Sequence, residues 1–356
     1  MLQNNISVII PIYNAAPYIT VAVESALSQQ EVAEVILIED GSTDDSLEVC
    51  KQLADQHDKV KLFVHPKNEN RGAGESRNLG IKIAKSEFIA FLDADDYYLP
   101  ERFRAERKIF SQNPDVDGVY GALGFHYYSE EGKRKYKEEG YLDELSTFSD
   151  NVPPSELVFA IMHLHNKVKG QFTIDTLTVR KEIFKGKTPL FNSLTLHEDT
   201  AFFIQLSLNC KLISGEIYHP IAMRGVHNEN RIVNNPKKSG SRVRYWKHLY
   251  DWSLQSKNGE KLSKLFQANW MKEKLLLSNR FFGTIELIRC CIANKTFLRK
   301  DVFFVPAAKH VLGNNIAPYV LNYKQRIQMK IFKDHPYSSI MDEFVNREGN
   351  SKPCRA

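Results

Sequence analysis

Cysteine is scarce and unpatterned. Cys50, Cys210, Cys290, Cys291 and Cys354 are odd in number and show neither metal-ligand nor redox spacing, which argues against a disulfide framework and fits reduced thiols in a cytosolic protein. Long apolar runs are missing too: no stretch reaches about 18 uninterrupted apolar residues, so no membrane-spanning helix is expected. Met1–Asn5 carries no basic group and the apolar run Ile6–Ile12 is interrupted by Pro11, so no secretory signal is expected. Any contact with a membrane would be made from its surface.

What is present is enough for a sizeable core: 356 residues at 42% hydrophobic content suit two domains, or one large domain with an extension. Charge is unevenly spread. Residues 1–235 carry 25 basic and 34 acidic side chains, a balance of −9, whereas residues 236–356 carry 23 and 9, a balance of +14. The two parts are expected to face different surroundings.

The chain is organised around Phe88–Pro100, where a strand-length apolar run empties into Asp93, Asp95 and Asp96 before a charged, helix-like segment. Asp93 and Asp95 share a face of an extended backbone, and the bend that follows can bring Asp96 to the same point. Carboxylates this close need a cation or hydrogen-bond donors to neutralise them, and hard oxygen ligands suit Mg2+ or Mn2+. Acids capping the next helix are the alternative.

Upstream, Ile6–Ile10 reads as a buried strand stopped at Pro11, followed by a loop with Tyr13 and Asn14 and a helical pattern over 17–29. Residues 34–38 form the second strand and run into Glu39, Asp40 and Gly41, with Ser42 or Thr43 as N-cap of the next helix. A third strand at Val60–Val64 leads to a polar loop holding Arg71, then to a helix over 75–85 that contains Arg77 and Asn78. Strands alternating with helices in this way indicate an α/β fold with an open, mainly parallel sheet, whose strand C-terminal ends form the ligand crevice. Tyr13, Asp40, the Arg71 loop and Asp93–Asp96 all fall on that edge. An aromatic for a base, an acid for a base N–H, basic groups and a metal-type cluster on one rim point to a nucleotide-diphosphate site.

Four stretches carry a resemblance: Val8–Asn14, Glu39–Asp44, Asn70–Gly80 with its Ser76-Arg77-Asn78, and Phe91–Asp96. In this order and spacing they resemble family 2 glycosyltransferases of the GT-A fold, densely over about the first hundred residues and more thinly to about residue 230. The resemblance implies a nucleotide-sugar-binding domain over 1–235, with the basic, mainly helical region 236–356 as an extension. It implies metal-dependent, inverting transfer of a sugar from a nucleotide-diphosphate sugar, UDP-sugar favoured, to a hydroxyl of a glycan or lipid-linked acceptor. By motif position Pro11, Tyr13 and Asp40 would hold the base, Asp93 the ribose side, and Asp95 the Mn2+ or Mg2+, with Asp96 as a further ligand. Asn14, Arg71 and Arg77 belong to the same donor site.

Downstream, Val116–Leu123 reads as a strand, residues 125–137 as a hairpin about 129–132, and Phe172–Val179 as an alternating strand. His163 and His165 lack a third ligand nearby and read as structural. Leu194–Thr200 precedes a helical pattern over 201–209, and the family places its base at the second acid of this motif, hence Asp199, with Glu198 as the alternative. A strand from Lys211 ends at 218–220. His227 then falls where the family often has a histidine or arginine near the diphosphate, able to complete the metal shell or donate to phosphate. From Arg242 a basic, aromatic helical region begins, suited to packing or to peripheral contact with the inner membrane face; no nucleic-acid partner is expected.

Two other readings stay open. An acid-cluster phosphotransferase places its nucleophilic aspartate after the first strand, where this chain has Pro11–Asn14. A non-catalytic nucleotide-sugar-binding protein needs no base, which only Asp199 disfavours.

Overall fold

In the computed structural model, residues 5–138, 145–186, 191–192, 194, 196–227, 230 and 240–277 are described. The apolar runs become parallel strands because both their faces are covered. Strand β1 (Ile6–Ile12) is almost wholly buried and lies between β2 (Val32–Glu39) and β4 (Phe88–Phe91), parallel to both. Strand β3 (Val60–Val64) continues the sheet beyond β2. Between these strands run α1 (Ile19–Leu27), α2 (Ser46–Gln56) and α3 (Ala73–Ile83), the right-handed crossovers that parallel pairing requires.

The acidic stretch leaves β4 and passes through the short β5 (Tyr97–Tyr98) into α4 (Arg104–Gln112). Further elements are β6 (Gly118–Tyr120), β7 (Ala122–Tyr127), α5 (Glu130–Glu138), α6 (Leu157–Ile161), β8 (Thr178–Arg180), α7 (Glu198–Asn209), β9 (Leu212–Ser214) and β10 (Pro220–Val226). They complete a seven-stranded sheet of order β3-β2-β1-β4-β8-β6-β9 and a three-stranded sheet of order β5-β10-β7. Antiparallel β8 mixes the larger sheet.

Several expectations are corrected here. The strand over 116–123 breaks at Gly121, so that β6 and β7 belong to different sheets. The hairpin over 125–137 is half helix: Glu131–Lys135 at 2.9 Å and Arg134–Glu138 at 3.6 Å pair at helical spacing along α5, and Tyr136 is buried. The strand over 172–179 is replaced by a 3₁₀ turn at Ile174–Thr176 ahead of the short β8, which turns Asp175 inward. The strand expected from Lys211 to 218–220 shortens to β9, and β10 begins only at Pro220, at the expected end of that strand. Helix α2 starts after Asp45 and not at the expected Ser42 or Thr43 cap: Ser42 Oγ accepts the Asn14 amide at 3.0 Å, Thr43 Oγ1 donates to Asn14 Oδ1 at 3.3 Å, and Asp44 Oδ1 takes the Ser46 amide at 3.0 Å. His165 is structural as expected, its Nε2 2.7 Å from Glu156 and its Nδ1 accepting the Val168 amide at 2.9 Å.

The chain divides after Pro236 into two compact units. In the second, α8 (Ser241–Ser253) and α9 (Ser263–Leu277) pack through the buried Tyr245, Trp246, Leu249, Leu265 and Phe266, and Tyr250 stacks on Trp270. No helix among the described residues is long and apolar enough to cross a membrane. Cys50 is buried, and burial, followed by the Glu39 charge, pushes its thiol up to about 12, so it is inert packing. Cys290, Cys291 and Cys354 lie outside the described residues.

Candidate active site

The parallel register sets the ends of β1, β2 and β4 side by side, since Ile12 pairs with Glu39 and Ile9 with Phe91. Each strand delivers its polar loop to that edge. Pro11 sits near the end of β1 opposite Ile38, and Tyr13 follows it with its side chain 50% exposed. Asn14 adopts φ 50°, and its Oδ1 accepts the Thr43 amide at 2.8 Å, which ties the first loop to the second. Glu39, fully buried, accepts the Gly41 and Ser42 amides and shapes the turn.

Asp40 is buried, and its two oxygens accept the backbone amides of Arg71 at 2.7 Å and Gly72 at 2.8 Å, just before α3. Arg71 therefore reaches Asp40 through its main chain, while its guanidinium lies 3.6 Å from Glu69. Gly41, at φ 74°, packs so closely on this loop that a Cβ would lie 2.7 Å from the Asn68 carbonyl oxygen.

Arg77 joins the two acidic stretches of the sequence. Its buried guanidinium donates to Asp93 at 2.6 Å and lies 3.7 Å from Glu198 at the start of α7. Burial works against the guanidinium charge, yet Asp93 and Glu198 together hold its pKa above the ordinary value. Asn78 next to it exchanges two hydrogen bonds with the Phe191 backbone, at 2.8 and 2.9 Å, so the same turn of α3 anchors the segment leading into α7. At that helix start Asp199 is half-buried, and its Oδ1 accepts the Thr200 amide at 2.6 Å.

The three residues expected to hold a metal divide between two places. Asp95 Oδ2 lies 3.2 Å from His227 Nε2 and accepts from Asn230 Nδ2 at 2.9 Å; the His227 ring stacks on Tyr18 with centroids 4.3 Å apart. Asp96 instead turns inward, where its Oδ1 accepts the Gly225 amide at 3.0 Å. There Asp93, Asp96 and Asp175 offer oxygens within 4.8 Å of one another. Asp175 Oδ1 accepts the Asp93 amide at 2.8 Å, and its Oδ2 is buried without a hydrogen-bond partner. Burial, reinforced by Asp93, raises Asp175 to about 6; burial, reinforced by Asp175 and Asp95, raises Asp96 as well. Arg224 beside them has its own pKa raised by Asp96 and Asp175, against the opposing pull of burial.

The inner cluster is thus a braced ion network, while Asp95 and His227 face the partly open rim. One carboxylate and one imidazole fit Mg2+ or Mn2+, which keep further positions for water and substrate phosphate oxygens. Asp175, Asn230 and Tyr18 were missed from sequence. Asp175 was hidden in a strand-like alternation, and Asn230 and Tyr18 belong to no motif; the spacing His227-x-x-Asn230 was the one available signal.

A crevice at the ends of parallel strands, with a short antiparallel element and an acidic loop beside it, is the GT-A arrangement. The profile of glycosyl transferase family 2 matches residues 7–166. An uncharacterized glycosyltransferase of Haemophilus influenzae is 32% identical over 201 residues, covering 56% of this chain and 70% of the relative. One from Rickettsia bellii is 29% identical over 242 residues, where this chain spans 65% of its own length and only 30% of the relative. Among solved structures, Staphylococcus aureus TarS 1-349 in complex with UDP-GlcNAc is similar at TM-score 0.59 and 17% identity, covering 96% of this chain and 92% of that one. The chain belongs to glycosyl transferase family 2 and is a glycosyltransferase.

Proposed function

We propose that the first unit is the catalytic domain and transfers a hexosyl group, with inversion, from a UDP-sugar to a hydroxyl of a glycan or lipid-linked acceptor in surface polysaccharide or glycolipid synthesis. The observation that carries this reading is the 3.2 Å approach of Asp95 and His227, from separate segments, beside the strand ends that bear Tyr13, Asp40 and Asp93. The UDP-GlcNAc held by TarS supports the choice of base.

Tyr13 presents an exposed ring to the base. Asp40 spends one acceptor position of each oxygen on the Arg71 and Gly72 amides, and a carboxylate retains others for a base N–H. Asp93, fixed by Arg77, faces the ribose. Asp95 and His227 would hold the divalent cation, which when bound neutralises charge building on the departing diphosphate. Asp199 takes the proton of the acceptor hydroxyl as that oxygen bonds to the anomeric carbon opposite the leaving group. Glu198 suits this role less, because its charge is committed to Arg77. The basic second unit would approach the inner face of the plasma membrane, where a lipid-linked acceptor resides: among the exposed charged side chains of its described residues Arg242, Arg244, Lys257, Lys261, Lys264 and Lys274 outweigh Glu260.

The test is a panel of nucleotide sugars with Mn2+ or Mg2+, scored by thermal shift, since binding to the native state raises its stability. Asp95→Asn should lose the metal-supported shift. Asp199→Asn should bind donor nearly as the wild type does and lose transfer by roughly 100-fold or more; normal turnover by this variant would overturn the base assignment.

A further inference from the structure

We propose that Asp175 is a positioning residue for the acidic loop, serving as a fixed hydrogen-bond acceptor for the Asp93 amide and not as a charge or a cation ligand. This rests on the functional reading above and deepens it. Between the last sheet bond of β4, from the Leu92 amide to the Ile9 carbonyl at 3.1 Å, and the bond from the Gly225 amide to Asp96, four residues span the site. They are Asp93 to Asp96, and Asp95 among them meets His227. Asp175 Oδ1 fixes the first of the four through its amide at 2.8 Å, and the Gly225 amide fixes the last through the Asp96 carboxylate at 3.0 Å. The direction of Asp95 is therefore set from both ends of a short arc.

Asp175 is itself immobilised. Its side chain is 0% exposed, and its carbonyl accepts from Arg102 at 3.3 Å. That guanidinium is in turn buried against Glu106, Tyr98 and Phe103. A cation in place of this bracing is disfavoured by Arg224, which lies close enough to Asp96 and Asp175 for both to stabilise its charge. An amide at position 175 would keep the acceptor, and its NH2 would replace the buried, unpartnered Oδ2 within the cluster that Asp175 forms with Asp93 and Asp96.

The experiment compares Asp175→Asn, Asp175→Glu and Asp175→Ala by the Kd for UDP, with Mn2+ and again with EDTA. Asn keeps the acceptor and removes the charge; Glu keeps the charge and displaces the oxygen. Asp175→Asn should stay within about threefold of the wild type, while Asp175→Glu and Asp175→Ala should lose about tenfold or more of the Mn2+-supported affinity and little of the affinity measured in EDTA. Retention by Glu with loss by Asn would assign a charge role and overturn the proposal. Equal loss with and without Mn2+, or no loss in any variant, would overturn it as well. If Asp175→Ala does not fold, the order of Asn and Glu decides alone. A wild type that binds no UDP would sink the functional reading and this inference with it, whereas the preceding outcomes sink the inference only.

Discussion

At Arg77 a buried guanidinium stands between Asp93 and Glu198, and removing it would leave two carboxylates facing each other across a site of low polarizability. Arg77→Met should therefore destabilise the protein by about 3 kcal/mol or more, because a buried charge left without its partner costs far more than the pair contributes. Urea unfolding measures this, and a loss below about 1 kcal/mol would show the pair to be expendable. Asp175 makes a pH-dependent prediction. Its carboxyl titrates near 6 in the folded chain against an ordinary 3.8, so between those values the native state holds more protons than the unfolded one. Its contribution to stability is then fully present below about pH 3.8 and is lost as pH rises through 6. In metal-free buffer Asp175→Asn should accordingly gain on the wild type at pH 7 relative to pH 4, read as the difference in Tm; a constant difference would contradict the raised titration. At this scale the sequence identified Asp40, Asp93, Asp95 and Asp96 as acids with work to do and His227 as a group near them, but left Asp175 and Asn230, which bond to Asp93 and Asp95, unnamed.

Among the elements, α3 is pressed against β1 without an intervening side chain at Gly80, where a Cβ would collide with the Ile9 side chain. Close approach here brings Arg77 to Asp93 and Asn78 to Phe191. Gly80→Ala should cost about 1–3 kcal/mol by overpacking. Ile9→Ala removes the Cγ1, Cγ2 and Cδ1 atoms that the added Cβ would meet, so the double variant should lose less than the sum of the two single losses. Denaturant midpoints of the two single variants and the double give the coupling directly; purely additive losses would place the strain elsewhere. The regular βα repeat was legible because its apolar runs and helical periods are local. The region after β5 was not, since Phe172–Val179 alternates apolar and polar residues as a strand does, whereas the 3₁₀ turn at Ile174–Thr176 buries Asp175 and Thr176 together with Ile174.

For the whole molecule the uneven charge is the feature with a consequence. The acidic first part, −9 over residues 1–235, and the basic second part, +14 over 236–356, should respond oppositely to an anionic surface. The 356-residue chain should sediment with anionic vesicles at about 50 mM salt and be released at about 500 mM, where the Debye length falls to a few ångströms. Retention at high salt would indicate apolar insertion, and no binding at low salt would remove peripheral attachment from the functional proposal.

The sequence by itself determined the βα order, the loops that reach the crevice edge and the family, because strand length, helical period and short polar motifs are written in neighbouring residues. Only the tertiary structure decided that Arg77 ties Asp93 to Glu198, that Asp96 turns inward while Asp95 turns to His227, and that Asp175 closes the inner cluster. Those pairings join residues from 16 to 132 positions apart. Their partners are chosen by which buried polar groups must satisfy one another once the sheet has closed, and no local pattern records that choice.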